Sequence, residues 1–377
     1  MIDGDATYSR LVVARAVLFV CLPALSQCTG EPDLARGATF LAQELRPVDR
    51  RAVDRTGGQR ALQVLSYNVF LRPPPVGWGD DTTCRARAIG EQLVRRADRP
   101  TVVALNESFA SGPFRTLLAG LDSKFPHRIR RRPRHSPVTT NGGLSLLSTE
   151  PIERFRTRTF DACNGTDCLA DKGFVHAQIR LGPGTKINIV ATHLDAGGQP
   201  ADRRARARQL RSIRRYLSTN AIFGRWPTVL TGDLNVDGLR HPVGSAPPSR
   251  ETSEYTRMLT ALAGWCPGSR APCASRPTDA YRRTRPPWPF DERGTRGVGT
   301  HPGLEPTPPH SHAHARSDWR QRRRLDYVLA FDRPSRSHGL GLHVSRSRHL
   351  SFHDDRCGHT RLSDHRAVTA EVRFERF

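Results

Sequence analysis

Lysine is nearly missing from this sequence: Lys124, Lys172 and Lys186 are the only three among 59 basic residues, and the rest are arginine. Acids number 36, so the formal net charge is +23. That surplus predicts adhesion to polyanions, whether nucleic acid or an anionic membrane. The arginines are scattered along the whole chain and form no single stripe in sequence, so charge alone does not name a substrate. Long apolar runs are also missing. None reaches the roughly 18–20 residues that span a bilayer, which excludes an integral helical membrane protein. No internal repeat is present, and no CxxC with matching histidine spacing, which argues against a structural zinc site. Glycine (31) and proline (29) are too few over 377 residues for collagen-like or low-complexity sequence. A hydrophobic fraction of 37% excludes wholesale disorder.

What is present begins with an apolar run, Ala16 to Leu25, after Arg10 and Arg15. Its length suits the core of a signal peptide. Leu25-Ser26-Gln27-Cys28 resembles a lipoprotein box. Residues 1–28 are therefore expected to be a signal peptide or lipoprotein leader, and the protein to be secreted, with a lipid anchor as the alternative. Residues 29–60 are polar and Arg-rich and read as a linker. Cys21 and Cys28 go with the leader, leaving six cysteines. An even number in an exported chain suggests disulfides, with about 15 possible connectivities. The close pairs Cys163/Cys168 and Cys266/Cys273 could each staple a loop, leaving Cys84 and Cys357 to each other.

From Leu62 short apolar runs alternate with longer Arg-rich stretches. Strands are predicted at 62–70, 101–106, 143–148, 174–180, 186–193, 228–231, 324–331 and 366–372. Helices are predicted at 85–96, through Ala88, Ile89 and Leu93, and at 201–217, through Leu210, Ile213 and Leu217. Arginines fill the other faces of the second helix and read as a solvated surface. Many strands with a few interspersed helices predict one α/β sandwich over 61–377. Residues 281–324 break the rhythm with arginine, histidine and proline and read as a surface insertion.

Polar residues gather where the predicted strands end. They are Asn68, Asn106-Glu107, Thr192-His193 and Asp233 with Asn235. Asp326 opens the seventh strand, and Ser363-Asp364-His365 precedes the eighth. A carboxylate or imidazole at a strand end is held by a rigid element and still reaches solvent. Glu107 and Asp364 supply hard anionic oxygens and Asn68 and Asn235 neutral ones, which suit Mg²⁺ better than zinc. His193 and His365 can move protons near neutral pH, and Asp326 could orient one of them. The set fits metal-assisted hydrolysis of a phosphate ester.

In order, SYNVF, LNE, NGGLSLLS, ATHLD, TGDLN, LDYV and LSDH resemble the endonuclease/exonuclease/phosphatase (DNase I-like) superfamily over roughly residues 60–377. The resemblance implies a four-layered α/β sandwich, two packed mixed β-sheets flanked by helices, with the site at one edge. Asn106-Glu107-Ser108-Phe109, Val76-Gly77-Trp78-Gly79, Lys172-Gly173-Phe174 and Ser253-Glu254-Tyr255 with Met258-Leu259 resemble the bacterial sphingomyelinase C branch more closely. That resemblance implies Glu107 as the principal metal ligand, assisted by Asn68 and Asp364. It makes Asp233 and Asn235 positioning groups for water and a phosphate oxygen. His365 becomes the general base, backed by Asp326, His193 a stabiliser of phosphoryl charge, and Lys172 a phosphate clamp. The implied cofactor is Mg²⁺, with Mn²⁺ or Co²⁺ able to substitute. The implied reaction turns sphingomyelin into ceramide and phosphocholine at a phospholipid surface, by a monomer. A secreted metal-dependent nuclease of the same superfamily is the rival, and non-specific nucleic-acid binding through the Arg-rich surface is expected either way. The interval 335–361, where secreted members of the branch carry an aromatic hairpin, offers only Phe352.

Overall fold

In this computed structural model the described residues are 61–96, 100–129, 139–219, 226–238, 253–263, 278–279, 324–331, 340–357 and 359–376. All lie in one compact unit, Arg55–Phe377. The expected leader and linker, the Cys266/Cys273 pair and all but the last residue of the insertion 281–324 lie outside them.

Fourteen strands are described. They are β1 (Ala61–Leu71), β2 (Val102–Ser108), β3 (His127–Ile129), β4 (Ser145–Ser148), β5 (Ile152–Thr159), β6 (Gly173–Gly182), β7 (Thr185–His193), β8 (Thr228–Asp233), β9 (Thr278–Asp279), β10 (Asp326–Phe331), β11 (Leu340–Leu350), β12 (His353–Asp354), β13 (His359–Arg361) and β14 (Ala367–Arg376). The helices are α1 (Thr82–Arg95), α2 (Ser111–Ala119), α3 (Pro200–Thr219) and α4 (Ser253–Ala263). One six-stranded sheet has the order β11-β14-β1-β2-β4-β3, the other β5-β6-β7-β8-β10-β9. Each sheet is mixed: β1 and β2 run parallel, as do β7 and β8, among antiparallel neighbours.

Three apolar clusters define the layers. Leu62, Val64, Val102 and Ala104 meet Val175, Ala177, Ile189 and Val328 between the sheets. On the far side of the first sheet, Leu65, Tyr67 and Val69 pack on Ile89 and Leu93 of α1 and on Phe114 and Leu117 of α2. On the far side of the second, Phe174, Val190 and Leu230 pack on Leu210, Ile213 and Leu217 of α3 and on Tyr255 and Met258 of α4. The order is thus helices, sheet, sheet, helices, the predicted four-layered sandwich. Both sheet faces are covered. The central strands can therefore be buried at almost every position, as β1 and β8 are, while alternate side chains still go to opposite clusters.

The eight predicted strands form, with ends shifted by a few residues. Three substantial elements escaped the sequence. β5 (IERFRTRT) is an exposed edge strand with no apolar stripe. β11 is rich in His, Arg and Ser. α2 is short, with Phe114 and Leu117 as its buried residues. Disulfides join Cys84 to Cys357 and Cys163 to Cys168, as the spacing suggested. Phe352 is buried and stacks on Tyr67 with ring centroids 4.7 Å apart, so it belongs to the core.

Where β7 and β8 run side by side, Gly232 has φ 141°, and a Cβ there would lie 1.8 Å from Thr192 O. Only glycine allows this approach. Gly232→Ala is expected to push the strands apart just before His193 and Asp233 and to cost at least about 3 kcal/mol. Thermal melting of the variant checks this, and an unchanged midpoint would refute it.

Candidate active site

The parallel pairs β1/β2 and β7/β8 end at the same edge of the sandwich. In open α/β sheets the crevice beyond the carboxyl ends of strands is where ligands sit. Here β1, β2 and the turn after β8 depart from the ladder by a kink. β1 changes register between Asn68 and Leu71. Phe70, Glu107 and Asn235 all have positive φ, at 52°, 56° and 50°. Left-handed backbone at non-glycine residues is held only by surrounding contacts and gathers at functional sites. Its local effect is to turn Glu107 and Asn235 away from their strands.

Two cross-sheet ties close the edge. Asn106 Nδ2 donates to Thr192 O at 2.8 Å, and Asp233 N donates to Asn106 Oδ1 at 3.3 Å. Asn106, on β2, thus grips both strands of the opposite sheet. Asn68 bridges the same gap: its Nδ2 donates to Glu107 Oε1 at 2.9 Å and to Asp233 Oδ2 at 3.0 Å. Its Oδ1 accepts the Phe70 N–H at 3.1 Å, which sets the orientation of the amide. So placed, Asn68 brackets two carboxylates with its nitrogen, and its oxygen faces the backbone. Asn235 closes an Asx turn, its N donating to Asp233 Oδ1 at 2.9 Å, and its Nδ2 donates to Leu194 O at 3.0 Å.

His365 and Asp326 form a buried dyad, Nδ1 to Oδ2 at 2.7 Å. The other ring nitrogen of His365 lies 3.7 Å from Asp233 Oδ2. Ser363 Oγ donates to Asn68 O at 2.6 Å and accepts the His365 N–H at 3.1 Å, which fixes this segment against the end of β1. On the opposite flank His193 Nε2 is 3.6 Å from Asp233 Oδ2 and 3.9 Å from Glu107 Oε1. Lys172 is buried; its Nζ lies 3.3 Å from His193 Nε2, donates to Leu194 O at 2.9 Å and pairs with Asp167 at 3.0 Å. Asp364 is buried beside these groups. All nine residues expected to form the site are therefore gathered at one edge.

The charges divide the two imidazoles. Burial holds His193 well below the usual histidine range, and Lys172 and His365 add to that, so it is neutral at pH 7. Burial opposes charge on His365 too, but Asp326, Asp233 and Asp364 together outweigh it and hold the ring well above that range. Burial pushes Asp233 up to about 6, against the pull of His365. Burial and then Asp364 raise Glu107. Crowded, partly desolvated carboxylates of this kind are short of positive charge.

Two sets of donors are close enough to share an ion. Glu107, His193 and Asp233 place one ligand atom each within 4.8 Å of one another, as do Asp233, Asp326 and His365. In the second set Asp326 and His365 already bond each other. The first, hard and oxygen-rich, fits a divalent cation. Sequence reasoning missed Arg85, which donates to Phe70 O and Leu362 O, both at 2.8 Å. It clamps the segments that carry Asn68 and Asp364. Its partners are remote in sequence, so no local signal marks it.

Sphingomyelinase C of Leptospira interrogans is 28% identical over 221 residues, covering 53% of this chain and 37% of the relative. Sphingomyelinase C of Bacillus cereus is 26% identical over 227 residues, 55% of this chain and 65% of the relative. The chain is similar to the DNase I-like bacterial sphingomyelinases. It spans between 37% and 65% of the length of these two curated relatives. No family model matches it. Among solved structures, sphingomyelinase C from Streptomyces griseocarneus superposes with a TM-score of 0.56 at 24% identity, over 83% of this chain and 99% of that one. Beta toxin of Staphylococcus aureus with bound magnesium ions gives 0.54 at 20% identity, over 82% and 99%. These two likenesses establish the DNase I-like fold. The family resemblance of the strand-end motifs and the layered sandwich are thus both borne out.

Proposed function

We propose that this chain is an exported, metal-dependent phosphodiesterase that hydrolyses sphingomyelin or a related phospholipid to ceramide and phosphocholine. The observation that carries the reading is the buried dyad of His365 and Asp326 set against the Asn68-bracketed carboxylates of Glu107 and Asp233. Export is supported by the two disulfides, which persist in oxidising compartments. A lipid substrate is supported by the names of the relatives. It is further supported by Trp78 and Val76, exposed at 75% and 61% on the loop that follows Asn68 and β1.

Glu107 and Asp233 would hold Mg²⁺, with Asp364 adding negative charge and Asn68 keeping the two carboxylates in place. The ion supplies Lewis acidity at the phosphoryl oxygens and lowers the pKa of bound water. The protein's own groups do the rest. Asp326 holds the Nδ1–H of His365, so Nε2 faces Asp233 and can take the proton of the attacking water. Neutralising Asp233 and Asp364 removes two of the three charges that keep His365 protonated, leaving the ring able to accept. Lys172 and neutral His193, on the opposite flank, would hold the phosphoryl group as its charge grows. Asn235, tied to Leu194 O, keeps the β7 and β8 loops at a fixed separation.

Phosphocholine release from sphingomyelin vesicles, with Mg²⁺ and with EDTA, tests the reading beside a plasmid-nicking control. Metal-dependent release with intact plasmid is expected; nicking without lipid turnover would overturn it. Binding of Mg²⁺ is also expected to weaken below about pH 6. There Asp233 carries a proton that the cation must displace, about tenfold in affinity per unit for each proton. Titration calorimetry at pH 5 and pH 7 checks this, and equal affinities would contradict it.

A further inference from the structure

We propose that the outer face built by α3 and β5 is a docking surface for the phosphodiester backbone of nucleic acid. On α3, Arg204, Arg208, Arg211 and Arg215 are all exposed. Their spacing of four, three and four residues puts them along one side of the helix. At a rise of about 1.5 Å per residue the stripe is roughly 16 Å long. On β5, Arg154, Arg156 and Arg158 are exposed and alternate, so they share one face of an edge strand. Arg156 and Arg158 lie opposite His176 and Phe174 of β6, and both of those rings contact Tyr216, the neighbour of Arg215 in sequence, so the two rows meet at the end of α3. The stripe that the linear sequence hides is made by folding.

Seven guanidiniums thus line one face, and among the described residues none of them pairs with a carboxylate. Several other surface arginines have acidic partners, as in Arg72–Asp80, Arg95–Glu91, Arg356–Asp354 and Arg373–Glu371. The one acid of α3, Asp202, is buried and accepts from Asn164 and Gln199. Glu254 of α4 is taken by Arg206. The surface is therefore uncompensated, and its charge complement is a polyanion.

The pattern favours a nucleic-acid backbone over a bilayer. A helix that lies in a membrane surface keeps bulky apolar side chains for insertion. Here the apolar residues of α3 are spent on the second sheet, and the positions beside the stripe are small: Ala201, Ala207 and Ser212. Phe155 points to the face of β5 opposite the arginines. Arginine's planar fork matches phosphate oxygens in pairs, and a duplex offers one charge per about 1.7 Å of axis. The inference does not depend on the proposed lipid reaction.

The test is fluorescence anisotropy of a mixed-sequence 20-base-pair duplex with the full chain, over a salt series. It compares wild type, R204Q/R208Q/R211Q/R215Q, and the control R87Q/R95Q/R115Q/R373Q, which removes equal charge elsewhere. The face variant should lose about four units from the slope of log affinity against log salt, roughly 0.9 per phosphate contact. The control should keep the wild-type slope. Unchanged binding by the face variant, or an equal loss in the control, would overturn the proposal. So would binding to phosphatidylserine vesicles that the face variant loses while its duplex binding stays intact, since the partner would then be a membrane. Circular dichroism and phosphocholine release should not change in either variant.

Discussion

His365→Ala is expected to lower kcat by about two to four orders of magnitude while the protein still folds. The ring is 6% exposed and bonds Asp326 through Nδ1, so removing it takes the imidazole from a buried carboxylate. That should cost about 1–3 kcal/mol, well within the stability of an ordinary domain. Asp326→Asn is the sharper probe. An amide offers its nitrogen to Nδ1 and favours the tautomer with the proton on the wrong side of the ring, facing Asp233. Its kcat should fall by a factor comparable to His365→Ala, with little change in KM. Steady-state kinetics on sphingomyelin vesicles decide the matter. A folded His365→Ala protein with near-wild-type turnover would remove His365 from the mechanism.

That dyad shows how much could be read before folding. Each strand that carries a site residue has both faces buried, so its apolar run stands out, and the polar residue that ends it is conspicuous. Glu107 after VVALN and Asp233 after TVLTG are examples. The signal fails where a strand has no apolar stripe. β5 lies at an edge with arginine at alternate positions, and nothing in its composition separates it from a solvated loop. α2 fails because nine residues hold too few apolar repeats to show a period. Within the site, the types of the nine residues were legible, but not their bonds. Asn68 suggested an oxygen ligand, and only the Phe70 N–H shows which end of the amide faces Glu107. Arg85 was invisible because its job exists only once Leu362 has returned beside Phe70.

The same return is fixed covalently. Cys84 opens α1 beside Arg85, and Cys357 lies just ahead of Leu362 and the Ser363–His365 segment. The bond closes a loop with a sequence separation of 273, against 5 for Cys163–Cys168. Chain entropy in the unfolded state grows with the logarithm of loop length, so the long closure is worth on the order of 5 kcal/mol and the short one about 2. Cys84→Ala/Cys357→Ala should therefore melt about 5–10 °C below wild type, and Cys163→Ala/Cys168→Ala only about 2–4 °C below it. Thiol reduction of wild type should bring its midpoint down at least to that of a variant lacking Cys84, Cys357, Cys163 and Cys168. Equal midpoints for the two double variants, or a larger loss at the short loop, would show that local strain rather than loop closure governs stability. The order also bears on the site, since Arg85 and apolar packing without a covalent link would then hold Leu362 to α1. If the long closure is what holds Asp364 and His365 in register, its loss should weaken Mg²⁺ binding, and the short closure's loss should not.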